Sequence, residues 1–87
     1  MATFTKDSEI SFGNVRGLVG RWTASSTAEA VDMGRKILGV HVSKQSATTS
    51  PNAQINLGVA GTATIGTLAL TSTANNDVYN VIVYTVS

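Results

Sequence analysis

Val78-Tyr79-Asn80-Val81-Ile82-Val83-Tyr84-Thr85-Val86 is a run of nine residues with no glycine, no proline and no charged side chain. Six of the nine branch at Cβ. Such side chains are stiff about the first torsion and suit a pleated strand better than a helix. Tyr79, Val81 and Val83 face one way, and Val78, Ile82 and Tyr84 face the other. A strand apolar on both faces is either central and covered, or part of a subunit contact.

The same period of two recurs upstream. Ser72 to Asp77 is a polar turn centred on Asn75-Asn76. Ala63 to Thr71 is a strand with Ile65 on one parity and Leu68 and Leu70 on the other; a bulge at Gly66 would bring all three to one face. Gly61-Thr62 makes a short hairpin connection to the cleanest one-sided strand, where Ala53, Ile55, Leu57 and Val59 alternate with Gln54, Asn56, Gly58 and Ala60. Gln45 to Asn52 is a loop, since Pro51 cannot donate to a central ladder. Arg35 to Lys44 is a strand with Leu38, Val40 and Val42 on one face and Ile37, Gly39, His41 and Ser43 on the other.

Ala24 to Asp32 is ambiguous. Ser26 and Glu29 have capping-box spacing, which fits a helical turn, but the same residues fit a surface loop leading into a strand. Val15 to Thr23 places Arg16, Leu18, Gly20 and Trp22 on one face and Val15, Gly17, Val19 and Arg21 on the other. Gly13-Asn14 is a turn signal, and Ile10 and Phe12 alternate with Glu9 and Ser11 in a short strand. Residues 1–8 read as a flexible arm, and residues 9–87 as one β domain. The expected fold is all-β: a single small antiparallel sandwich or barrel of about six strands.

Composition agrees. The chain has 87 residues, of which 43% are hydrophobic and 13% charged, with a net charge of +1 and no cysteine. Low, balanced charge argues against nucleic-acid binding, which needs clustered Lys and Arg. No apolar run approaches the roughly 20 residues of a membrane-spanning helix, and the polar stretch Met1 to Glu9 lacks a signal-peptide core. A core this small often gains stability from oligomerisation.

Few residues suggest chemistry. His41 is the one histidine, and Asp7, Glu9, Glu29, Asp32 and Asp77 show no metal-ligand spacing. No serine has a nucleophile-elbow context. The glycine-rich stretches Gly13–Gly20 and Gly58–Gly61 lack the setting of a phosphate-binding loop. The expectation is a non-enzymatic chain with no catalytic residue, cofactor, metal or small-molecule substrate. Trp22 and Tyr84 are the aromatics expected to be buried. Phe4, Trp22, Arg21, Tyr79 and Tyr84 are the residues singled out for a protein interface, where aromatics and Arg concentrate binding energy.

Phe12-Gly13-Asn14-Val15-Arg16 with Gly20, then Val31-Asp32-Met33-Gly34-Arg35-Lys36-Ile37, then Val78 to Tyr84 form a pattern. In it the chain resembles small all-β virion structural proteins of tailed bacteriophages. The resemblance implies a capsid decoration or cement protein that binds and stabilises the outer head shell as an oligomer. Its implied partners are the major capsid protein and copies of itself, as a homotrimer, with no nucleic acid and no membrane. Its implied location is the capsid surface, after assembly in the host cytoplasm. The alternative is a tail, head–tail junction or fibre-associated module, structural or glycan-binding.

Overall fold

The computed structural model describes residues 2–87. Its strands are β1 (Thr3–Phe12), β2 (Val15–Thr23), β3 (Ala28–Asp32), β4 (Ile37–Ser46), β5 (Asn52–Leu57), β6 (Ala63–Thr71) and β7 (Val78–Val86). Sheet A has the order β1-β2-β7-β4 and sheet B the order β3-β6-β5. Every ladder is antiparallel. The sheets are not closed, so the molecule is a small β-sandwich rather than a barrel.

The core lies between the sheets. Trp22 on β2 stands directly opposite Tyr79 on β7, and both are 0% exposed. Val81 and Val83 continue the inner face of β7, Ile37 joins from β4, and Leu68 and Leu70 meet them from β6. Each large side chain buried this way contributes about 1.5–3 kcal/mol against remaining in water. Gly20 completes the Trp22 row because the backbone of β1 needs its space. A Cβ there would overlap the Thr5 carbonyl oxygen and come within 2.9 Å of the Phe4 ring.

The Gly13-Asn14 turn joins β1 to β2, with Gly13 at φ 62° and Phe12 paired to Val15. A two-residue hairpin with glycine at its first central position matches the twist of its strands. At the opposite end of the molecule, the loop after β2 is held to the loop before β7. Ala24 N–H donates to Asp77 O at 2.9 Å, and Asn76 N–H donates to Ala24 O at 2.8 Å.

Of five sequence readings, one is settled and four are corrected. First, the ambiguous Ala24 to Asp32 is a loop leading into a strand, Ala28–Asp32 as β3, which brings the expected count of about six strands to seven among the described residues. Glu29 explains the misleading capping-box spacing: its carboxylate does accept the N–H groups of Ser25 and Ser26, at 2.7 and 3.1 Å, but from a strand rather than a helix. Second, Thr3–Ser8 is not a loose arm but the first part of β1, with Phe4 paired to Trp22 and Lys6 to Gly20; Met1 lies outside the described residues. Third, the ladder slips between Ile37 and Gly39. This bulge reverses the parity, so Ile37 is buried and Leu38 is 48% exposed.

Fourth, the bulge anticipated at Gly66 exists, with φ 88°, yet Ile65 points outward at 75% exposure while Leu68 and Leu70 are buried. Asn56 explains the local shape. At φ 55° its Oδ1 accepts the N–H of Ile37 and of Gly66, both at 3.0 Å, and its Nδ2 donates to Ile37 O at 2.8 Å. One side chain thus ties the start of β4 to the bulge of β6 across the sheets. Fifth, β5 ends at Leu57. Val59 lies in the turn that follows, where Gly58 N–H donates to Thr62 O at 2.7 Å.

Candidate interaction surface

The ladder register maps the outer face of sheet A, because directly paired residues share a face. The first row is Phe12, Val15 and Val86; the second is Ile10, Gly17, Tyr84 and Gly39; the third is Ser8, Val19, Ile82 and His41. Two polar rows follow: Thr5, Arg21, Asn80 and Ser43, then Thr3, Thr23, Val78 and Ser46. The face is apolar over the end holding the β1–β2 hairpin and polar over the other.

The apolar half is open to solvent. Ile10 is 47% exposed, Phe12 55% and Tyr84 36%, with Val86 in the first row also exposed. Gly17 is buried beneath this layer. A Cβ placed on it would meet Phe12 Cε2 at 3.5 Å and Tyr84 Cδ1 and Cε1 at 3.7 Å. On its other side Tyr84 passes 3.9 Å from the corresponding point over Gly39. Two aromatic rings therefore pack against the Gly17 position, and neighbouring valines and isoleucines extend the layer.

The polar half begins at Arg21. Its Nε and Nη2 donate to the two oxygens of Asp7, both at 3.1 Å. Asp7 is the residue left unpaired by the β1 bulge between Lys6 and Ser8. Two parallel bonds fix the guanidinium geometrically, although an exposed pair of this kind adds only about 0–1 kcal/mol.

Of the five residues singled out from sequence, the structure separates two from three. Arg21 and Tyr84 face solvent on this surface. Trp22 and Tyr79 are fully buried, and Phe4 is half-buried against the core, so the fold leaves Trp22 and Tyr79 nothing to offer a partner. The expectation that Tyr84 is the buried tyrosine is thus reversed in favour of Tyr79. Ile10, Phe12, Leu38 and Val86 were not singled out. The signal for Ile10 and Phe12 was present, since their alternation with Glu9 and Ser11 marks a two-sided strand at a sheet edge.

The remaining polar groups serve the fold. Asp77 Oδ2 accepts the N–H of Thr48 at 3.1 Å and the hydroxyls of Thr48, Thr49 and Tyr79 at 3.1–3.3 Å. Burial works to raise its pKa, but these bonds outweigh it and hold the carboxyl below the usual range. Burial, joined by the negative Asp77, pushes the Tyr79 phenol up against the opposing hydrogen bond with Thr49. Glu29 shows the same balance as Asp77: burial raises it, and the Ser25 and Ser26 bonds bring it below the ordinary value. An open hollow of about 410 Å³ lies beside Glu29, lined by Ser25, Ser26, Ala28, Ala30 and Val59. Its one carboxylate is already engaged by the serines of its own loop.

His41 stands exposed on β4. Among the described residues no group of three or more His, Cys, Asp or Glu could hold a metal ion, and no helix is long and apolar enough to cross a membrane. Comparisons with protein-family models, with curated proteins and with solved structures gave no significant match.

Proposed function

We propose that this chain is a non-enzymatic structural protein that works by surface contact within a larger assembly. In the first reading that assembly is a tailed-phage head, whose outer shell the protein decorates and stabilises as an oligomer. The observation that supports contact as its mode of action is the apolar half of the outer face of sheet A. Single exposed apolar side chains are ordinary, but a contiguous aromatic and aliphatic layer marks an interaction surface. The layer rests on a rigid four-stranded sheet, so little side-chain or backbone freedom is lost when it is covered.

On a lattice, many copies add their contacts, so a single weak contact becomes firm through effective concentration. The phage setting rests on the sequence pattern running through Phe12–Gly20, Val31–Ile37 and Val78–Tyr84. The alternative setting, a tail, head–tail junction or fibre-associated module, uses the same surface in a ring.

The test is to add the purified chain to phage head shells lacking a decoration protein and follow thermal rupture. A rise in rupture temperature with stoichiometric binding supports the head-shell reading. Binding at one vertex or along the tail supports the alternative. No binding to any virion part removes both.

A further inference from the structure

We propose that the apolar half of the outer face of sheet A packs against the same face of a second copy of this chain. This deepens the assembly role by naming the surface and its occupant. The central strand of the sheet, β7, is apolar on both faces. Its inner face is covered by the core, whereas Ile82, Tyr84 and Val86 on its outer face are covered by no other layer among the described residues.

Three features select a second copy. First, the three apolar rows contain no Asp, Glu, Lys or Arg. Like can therefore meet like without charge repulsion, while a charged partner would find nothing to pair with. Second, a copy carries the same four-stranded sheet with the same twist, and two such sheets pack face to face with strands within about 30° of each other. Third, the molecule extends 36 × 27 × 17 Å, so a stable interface of roughly 800 Å² per partner takes in most of its broad side, with the apolar half as its core and the polar rows as its rim.

The anatomy fits as well. Tyr84 stands within the apolar half on the inner strand β7, Phe12 closes its hairpin corner, and Arg21 lies at the polar margin, paired to Asp7. Association through the edge of β1 is disfavoured by contrast, because that edge carries a bulge and the charges of Lys6, Asp7 and Glu9.

The experiment is sedimentation velocity on the full chain over a concentration series. Wild type is compared with Tyr84→Arg, Phe12→Arg and, in the polar half, Thr23→Arg. Circular dichroism and the emission of buried Trp22 report folding. Wild type and Thr23→Arg are expected at twice 9.0 kDa, the dimer that a face packed on itself closes, and Tyr84→Arg and Phe12→Arg at 9.0 kDa with native spectra. If one of the two apolar variants unfolds, the other decides.

A wild type that stays at 9.0 kDa throughout overturns the proposal, even if it captures an unrelated protein on this face. So does retention of the oligomer by folded Tyr84→Arg and Phe12→Arg. A monomer that still binds phage shells removes this inference and leaves shell decoration standing without a preformed oligomer; an oligomer that binds no virion part does the reverse.

Discussion

Tyr84 lies across Gly17, with two ring carbons 3.7 Å from the point where a Gly17 Cβ would stand. The pair sits in register, Gly17 opposite Tyr84 on neighbouring strands. An aromatic ring covering a cross-strand glycine restores the packing the glycine lacks. The opposite edge of the same ring approaches Gly39 at 3.9 Å, so the ring fills the space above glycines on both neighbouring strands.

The two buried glycines of β2 are expected to respond differently to a methyl group. At Gly17 the new Cβ would find ordinary contact distances of 3.5–3.7 Å. Gly17→Ala should leave stability unchanged or raise it by about 0.5 kcal/mol by restricting the unfolded chain. At Gly20 the Cβ would run into the Thr5 backbone. Gly20→Ala should destabilise by about 2–3 kcal/mol, as overpacked sites do. Urea denaturation midpoints check this; equal midpoints for the two variants would contradict the packing of β1 over Gly20.

Asn56 combines a left-handed backbone with three hydrogen bonds, and two substitutions separate these roles. Asn56→Gly keeps the φ of 55° accessible but loses the bonds to Ile37 and Gly66. It should cost about 1–3 kcal/mol, the penalty for stranding buried backbone groups. Asn56→Ala should cost about 1 kcal/mol more, because a Cβ strains that conformation. Thermal melting orders the three proteins; a glycine variant as stable as wild type would show that the bridge between the sheets carries no weight.

Stability should fall on acidification through Asp77 and Glu29. Both carboxyls are lowered in the folded state from ordinary values of 3.8 and 4.5. A lowered folded pKa gives stability that is complete above the unfolded value and lost as pH drops through the folded one. Denaturation midpoints should therefore be level from neutrality to about pH 5 and decline below it. Asp77→Asn should be less stable than wild type at neutral pH, with the gap narrowing towards pH 3. A gap independent of pH would assign the loss to packing rather than charge.

The strands were legible where alternation ran between clear turn residues. β2, β6 and β7 have the expected bounds, because Gly13-Asn14, Gly61-Thr62 and Asn75-Asn76 punctuate them. The covered face of β7 was not legible. Tyr79 and Tyr84 have opposite parity on an equally apolar strand, and the choice between them is made by Leu68 and Leu70 on β6, distant in sequence. Bulges were the second obstacle. One extra residue at Leu38 swaps Ile37 inward and Leu38 outward while the rest of β4 keeps its expected faces, and no local pattern announces it. At Glu29 the spacing carries a real hydrogen-bonding tendency, and of the two backbones it allows the structure adopts the loop leading into a strand. On the exposed outer face stand Arg21 and Tyr84, which the sequence singles out, and also Phe12 and Ile10, which by alternation alone read only as strand formers.

The chain has only two tyrosines, and burial makes one of them a reporter of the outer face. Tyr79 is 0% exposed and Tyr84 is 36% exposed, so nitration of the folded protein followed by mass mapping should modify Tyr84 alone. If the outer face of sheet A is the contact surface, Tyr84 should label readily in dilute protein and be strongly protected once the protein is concentrated or bound in its assembly. Equal labelling of Tyr84 in the free and assembled states would contradict that assignment.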